Sequence, residues 1–230
     1  MSKVLQFTPR AKRTASENLA NFVALCRNEI GILTTVSAFE ECSWDVTETF
    51  PIPGSKHKSR MHFTKANSTK SIKEPMQQPY ADFAKAYFIY EYSRDKSKSY
   101  MNRLIAVRAM YDALCLHGRP CVTEVTVQML DAACQTLVER LAPETAYTAG
   151  VYLERLNRFL VEHRLAPKST EWKNWLPAPK QNMAKVGKEF DERRQEKIPS
   201  PAAFEALGTI FTVAVDVSDV LVTGVCAVLC

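Results

Sequence analysis

The sequence lacks the features of a secreted, disulfide-bonded protein. Its seven cysteines are odd in number and include no CxxC pair, which is typical of reduced thiols rather than of a disulfide framework. The N-terminus, MSKVLQFTPRAKR, has no apolar core segment and does not resemble a signal peptide. We therefore expect a reducing, cytoplasmic location.

The sequence also offers no complete metal site. Cys115, His117 and Cys121 have a spacing that could supply three zinc ligands, but no fourth ligand stands near them. The remaining histidines are scattered along the chain. We expect no metal and no cofactor.

Positive charge is absent from the last part of the chain. Residues 199–230 contain Glu205, Asp216 and Asp219 but no lysine or arginine, and the other residues hold all 30 bases. Without this segment the formal charge rises from +5 to +8, because 30 bases then face 22 acids. Such an excess fits a polyanionic partner, although many ordinary basic proteins carry as much.

The same segment is the most apolar of the chain. The pattern predicts a helix from Pro199 to Phe211, with Ser200 as its cap, and a second, enclosed helix from Leu221 to Leu229. Residues 209–230 approach the length of a membrane span, but Asp216 and Asp219 would then lie inside the bilayer at a high cost. We expect no membrane association, and we interpret residues 199–230 as the first helices of an incomplete domain.

Residues 1–76 indicate a small α+β region. Thr14 and Glu17 have the spacing of a capping box at the start of a helix. Short strands are predicted at 32–36, 44–50 and 60–63. Residues 55–75 are basic and predict either a solvated loop or an arm that lies along phosphates; the bases are Lys56, Lys58, Arg60, Lys65, Lys70 and Lys73.

Residues 77–166 have a wholly helical pattern. Helices are predicted from Tyr80 to Tyr92, from a cap at Ser97 or Ser99, from a cap at Thr126, and from Pro143 to about His163. Four such helices with short connections predict a compact bundle. Residues 167–198 are charged and proline-containing, and they predict a linker.

The fourth helix has two distinct faces. One predicted inner face contains Ala146, Ala149, Leu153, Leu156 and Leu160. Opposite it lie Tyr147, Thr148, Val151, Arg155 and Arg158. Hydroxyls and arginines on an outer face suit contact with phosphates or base edges in a DNA groove, and they are equally compatible with an ordinary solvated face.

Further bases could extend this surface. Lys96 and Lys98 precede the second helix, where backbone N–H groups also point outward. Arg103 and Arg108 are predicted on the side of that helix away from Leu104, Val107 and Tyr111, and Arg119 follows it. The candidate DNA-binding set is Lys96, Lys98, Arg103, Arg108, Arg119, Tyr147, Thr148, Arg155 and Arg158.

Three stretches of the chain resemble the phage-type integrases, the tyrosine recombinases. PETAYTAGVYLERLNRFLVEHRL is similar to the last helix of their core-binding domain, and YADFAKAYFIYEY is similar to its first helix. IPSPAAFEALGTIF and DVLVTGVCAVLC resemble the opening helices of their catalytic domain. The resemblance covers about residues 78–230, and the order and spacing of the segments carry it.

The resemblance implies a mainly α protein with a SAM-like four-helix core-binding bundle. Together with the α+β pattern of the first residues, it predicts four parts: residues 1–76, an N-terminal α+β region; 77–166, the DNA-binding bundle; 167–198, a linker; and 199–230, the start of a catalytic domain. The implied function is clamping of duplex DNA during site-specific recombination. The implied partners are DNA in the nucleoid, the rest of a catalytic domain and, on DNA, other copies of the chain.

In this family a tyrosine nucleophile acts with arginines, a lysine and histidines, and no residue here matches those positions. Tyr147 and Tyr152 lie in the implied core-binding domain and are not candidates for the nucleophile. We therefore expect this chain not to cleave DNA. Two alternatives remain: a stand-alone or regulatory DNA-binding protein with the same bundle, and a helical protein-interaction module with a basic surface.

Overall fold

The structure, a computed structural model, describes residues 4–52, 57–66, 74–96, 100–118, 120–167, 171–179 and 200–213. The chain divides into two compact units, Met1–Pro179 and Lys180–Cys230. In the second unit the described part is one helix, α6 (Pro201–Val213). Ser200 accepts a hydrogen bond at its side-chain oxygen from the backbone N–H of Ala203 at 3.3 Å, as the predicted cap requires. The predicted helix from Leu221 to Leu229 lies outside the described residues.

The first unit is mainly helical, as the sequence predicts. Its helices are α1 (Ala15–Arg27), α2 (Tyr80–Arg94), α3 (Tyr100–Leu116), α4 (Val127–Arg140) and α5 (Pro143–Glu162). Single 3-10 turns stand at Ile30–Ile32 and Val122–Glu124. None of the helices within the described ranges is both long and apolar enough to cross a membrane.

Local polar contacts fix where these helices begin. At α1 the Thr14 hydroxyl accepts from the N–H of Glu17, and the Glu17 carboxylate accepts from the N–H of Thr14, which confirms the capping box. Thr126 caps α4 through the N–H of Met129, and Pro143 begins α5. The predicted caps at Ser97 and Ser99 lie outside the described residues.

The predicted N-terminal strands are shorter than expected, and one is wrong. Strands β1 (Ser43–Asp45) and β2 (Arg60–His62) pair antiparallel, with Trp44 opposite Met61. The strand predicted over 44–50 ends at Asp45, because the Asp45 carboxylate accepts from both the N–H and the hydroxyl of Thr47 and turns the chain. The strand predicted over 32–36 is absent, since the 3-10 turn occupies its start.

One hydrophobic core joins the N-terminal region to the helices. Buried side chains of residues 1–76, among them Phe22, Trp44 and Met61, belong to the same cluster as those of α2 to α5. Helix α1 packs against α2, and α3 packs against both α4 and α5. The Phe22 ring lies 5.5 Å from the rings of Tyr90 and Phe159, so aromatic contacts link α1, α2 and α5.

Part of the predicted linker is packed on the bundle. Residues 171–176, named the tryptophan segment, lie on α4 and α5, with the Trp172 indole N–H donating to the Asp131 carboxylate at 2.8 Å. The N–H of Asn174 donates to the Glu154 carboxylate at 3.0 Å. Trp172 and Leu176 are buried, so the apolar residues of this otherwise charged stretch add to the core.

Candidate nucleic-acid interface

The amphipathic pattern of α5 is confirmed. Leu153, Leu156 and Leu160 are buried in the core, while Arg155 and Arg158 are exposed on the opposite side. The helix therefore presents two guanidinium groups, less than one turn apart, to solvent. These are the sequence-predicted residues that the structure places best for contact with a phosphate.

The two exposed arginines have different neighbours. The Arg158 guanidinium lies 3.2 Å from the Glu154 carboxylate, which neutralises it in part. The Arg155 guanidinium lies over the Tyr152 ring, 5.2 Å from its centroid, and forms no ion pair with any described carboxylate. A cation held by an aromatic face keeps its N–H donors free for an anion.

Tyr147 and Thr148 are less available than the sequence predicts. The Thr148 hydroxyl donates to the backbone carbonyl of Glu144 at 2.8 Å, within the helix. Tyr147 is half-buried against the core, and its carbonyl accepts from the side-chain amide of Asn174 at 3.4 Å. The outer face of α5 is therefore narrower than predicted, because the tryptophan segment covers one edge of it.

Arg103 does not lie on an exposed side, which corrects the sequence-based placement. Its side chain is 9% exposed and forms ion pairs with Asp95 at 3.0 Å and Glu91 at 3.7 Å. Its guanidinium also lies 5.8 Å from the centroid of the Tyr152 ring. These contacts join the end of α2, the start of α3 and the middle of α5, so Arg103 acts in the packing of the bundle.

Burial shifts the pKa values of acidic and phenolic side chains around Arg103. Desolvation raises the pKa of the Glu91 carboxyl, while the Arg103 guanidinium acts in the opposite direction. Desolvation also raises the pKa of Tyr87 above its usual range, so its phenol stays neutral. Tyr152, which was not predicted as a site residue, has the Arg103 and Arg155 guanidinium groups near its ring. Tyr152 precedes Arg155 by three residues, the spacing at which two side chains of one helix meet, so the sequence could have predicted this contact.

Arg108 is half-buried rather than exposed. One of its terminal nitrogens donates to the backbone carbonyl of His62 at 2.7 Å, which links α3 to β2. Burial lowers the pKa of its guanidinium, opposed by the Asp112 carboxylate. Arg108 therefore lies apart from the outer face of α5.

The remaining predicted bases are only partly described. Lys96 is exposed, and its ammonium lies 6.0 Å from the centroid of the Tyr92 ring. Arg94, which the sequence analysis did not select, donates to the Tyr90 hydroxyl at 3.0 Å. Lys98 and Arg119 lie outside the described residues. Arg94, Lys96 and Arg155 are bases without a carboxylate partner among the described residues.

The described cysteines are free thiols: Cys26, Cys42, Cys115, Cys121 and Cys134. Across the described ranges, no three His, Cys, Asp or Glu side chains are grouped so that they could hold a metal ion. Burial raises the pKa of Cys26 to about 12 and that of Cys134 to about 11, so both remain protonated.

Comparison with known proteins adds no relative. The sequence matches no protein-family model, no curated protein and no solved structure.

Proposed function

We propose that this protein binds duplex DNA through the outer face of α5, and that its helices form the SAM-like core-binding bundle of a site-specific tyrosine recombinase. The observation that carries DNA binding is the exposed pair Arg155 and Arg158, with Arg155 held by Tyr152 and unpaired with any described carboxylate. The recombinase assignment is supported by the order and spacing of the helical segments that resemble that family.

The chemistry of the surface favours phosphate contacts. An arginine fork matches two phosphate oxygens, and a helix laid along the duplex can direct successive outer residues to the backbone. The Leu153, Leu156 and Leu160 side chains fix the opposite face in the core, so the arginines are presented on a rigid helix. The proposed role is DNA clamping, with no chemical step assigned to this chain.

The test is a fluorescence titration of a short labelled duplex with the full chain and two variants. Arg155→Gln and Arg158→Gln are each expected to weaken binding about tenfold at about 50 mM salt and to reduce the log–log salt slope by about one. The parent protein is expected to bind with a Kd of about 10⁻⁴–10⁻⁶ M, the range of non-specific binding. Parent-like binding by both variants would overturn the assignment of α5.

Two matched controls accompany this test. Lys12→Gln removes an exposed base before α1 and is expected to bind DNA as the parent does. Leu156→Ala removes a buried side chain from the inner face of α5, and its cavity is expected to cost about 2–5 kcal/mol of stability. Thermal melts of the arginine variants should stay close to the parent, because exposed substitutions change stability by about 0.5 kcal/mol or less.

A helical protein-interaction module is the second candidate function. The ion pairs of Arg103 with Glu91 and Asp95, and of Arg158 with Glu154, favour it, because they neutralise bases that DNA would otherwise use. The salt titration separates the two functions. A protein whose basic residues only confer solubility would show no steep salt-dependent DNA binding.

A further inference from the structure

A small pocket lies between α3 and α4, away from the outer face of α5. Its volume is about 260 Å³, and it is lined by the apolar side chains of Ile105, Ala109, Leu137 and Leu141 together with Arg108 and Arg140. No acidic residue of the described chain lines it. A pocket of mostly apolar lining with a few polar groups is the usual form of a small-molecule site, and this one is slightly smaller than typical drug-sized pockets.

The two arginines of the pocket differ in how their charge is balanced. The Arg140 guanidinium lies 3.4 Å from the Asp112 carboxylate, whose side chain is 12% exposed. The Arg108 guanidinium forms no ion pair with a carboxylate of the described residues. Among the described residues, it donates a hydrogen bond to the neutral carbonyl of His62. The group of Arg108, Arg140 and Asp112 therefore carries one uncompensated positive charge.

An uncompensated charge in a half-buried position is costly. Burial already lowers the pKa of the Arg108 guanidinium, and its Nε is enclosed with no hydrogen-bond partner in the part of the chain that the structure describes. The hydrogen bond to the His62 carbonyl holds the guanidinium in place but does not balance its charge. A bound monoanion would neutralise the excess charge by accepting from the guanidinium groups that line the pocket.

We propose that this pocket binds a small organic carboxylate with an apolar body. Its carboxylate would accept from the Arg108 and Arg140 guanidinium groups, since arginine forks match carboxylate oxygens. The apolar part would lie against Ile105, Leu137 and Leu141. The volume limits the body to about the size of a single ring or a short alkyl chain.

Calorimetric titration of the full chain with benzoate tests this proposal, with benzyl alcohol as the uncharged probe of similar shape. Saturable binding of benzoate is expected, and binding of benzyl alcohol is expected to be at least about tenfold weaker. Equal binding of the two probes, or no binding of benzoate, would overturn the proposal. Binding of inorganic phosphate as tight as that of benzoate would also overturn it, because phosphate has no apolar body.

Three variants locate the site. Arg108→Gln and Arg140→Gln are each expected to weaken benzoate binding about tenfold or more, which corresponds to the loss of one charge-assisted hydrogen bond. Lys58→Gln removes an exposed base that pairs with a carboxylate, as Arg140 does, but stands just before β2; it should bind benzoate as the parent does. Weakening by Lys58→Gln equal to that by the pocket variants would overturn the assignment.

The DNA titration keeps this proposal separate from the proposed function. If Arg108→Gln weakens binding of a duplex while benzoate does not bind, the pocket arginines belong to the DNA surface and the carboxylate site is refuted. If benzoate binds as expected and the parent protein does not bind DNA, the carboxylate site stands and the proposed function fails. A melting curve of each variant confirms that loss of binding is measured on folded protein.

Discussion

His163, at the end of α5, shows how burial fixes the protonation of a single side chain. Its Nδ1 lies 2.9 Å from the carbonyl of Phe159, which can only accept, so Nδ1 donates the hydrogen bond. The other ring nitrogen is then free to accept from the Tyr90 hydroxyl at 3.3 Å. The ring stacks on Phe159 with 4.2 Å between centroids. The neutral imidazole therefore satisfies both contacts, and a second proton, on Nε2, would reverse one of them, so that the Tyr90 hydroxyl accepts from the ring as well as from Arg94.

This network predicts a pH dependence of stability. Burial lowers the pKa of His163, so as the pH falls below about 6.5 the unfolded chain takes up the proton before the folded chain does. The contribution of His163 to stability is present above that pH and is lost as the pH falls toward its folded-state pKa. We expect the melting temperature to fall between about pH 7.5 and about pH 5.5, and the fall to be at least about halved in His163→Gln.

The difference between parent and variant is the decisive measurement, because other groups titrate too. The raised pKa of Glu91 acts with the opposite sign, since it favours folding as the pH falls toward acid. A His163→Gln variant that follows the parent at both pH values would show that His163 does not control the acid response.

At the scale of elements, Gly150 sets how closely the tryptophan segment approaches α5. A Cβ at this position would lie 2.6 Å from the side-chain oxygen of Asn174. That oxygen cannot simply move away, because it accepts from the N–H of Leu176 at 3.2 Å. The small residue in the middle of α5 is therefore required by the segment that covers it.

Gly150→Ala is expected to destabilise the protein by about 1–3 kcal/mol, because the new methyl group displaces Asn174. Chemical denaturation of the single variants and of the double variant Gly150→Ala/Asn174→Ala measures the coupling. The double variant should lose clearly less free energy of unfolding than the sum of the losses of the two single variants, since Asn174 is the group that the new methyl contacts. Gly31→Ala, which adds a Cβ with no heavy atom within 4 Å, is the control. If the free-energy losses of Gly150→Ala and Asn174→Ala simply add in the double variant, the two positions are not in contact.

For the molecule as a whole, the helical fold was predictable from the sequence. Among the predictions that were wrong are the strand over 32–36 and the exposed position of Arg103. Periodicity and local caps such as Thr14 and Pro143 identify helices from a few neighbouring residues. The strand over 32–36 was mispredicted because a short apolar run does not distinguish a strand from a buried turn. Arg103 was misplaced because Glu91 and Asp95, which hold it, stand on a different part of the chain. No local pattern reveals such a pair.

The boundary of the first compact unit predicts where the chain can be shortened without loss of the fold. A fragment ending at Pro179 is expected to melt cooperatively, as a compact unit with its own core. A fragment ending at Ala166 loses the buried side chains of Trp172 and Leu176, each worth about 1.5–3 kcal/mol. Its melting temperature is expected to be lower by roughly 6–24 °C, at about 2–4 °C per kcal/mol for a chain of this size. Calorimetry on both fragments checks this. Identical melting would show that the tryptophan segment adds no stability.

The contacts of the tryptophan segment also decide how much of the predicted linker is fixed on the bundle. Because Trp172, Asn174 and Leu176 are fixed on α4 and α5, the residues after Glu162 cannot all serve as a tether. Each residue withdrawn from a tether shortens its reach by about 3.3–3.6 Å. A shorter tether confines whatever follows it to a smaller volume and raises its effective concentration near the point of attachment. A change at Gly150 or Asn174 that released the segment would therefore lengthen the predicted linker, without altering a residue of the proposed DNA-binding surface.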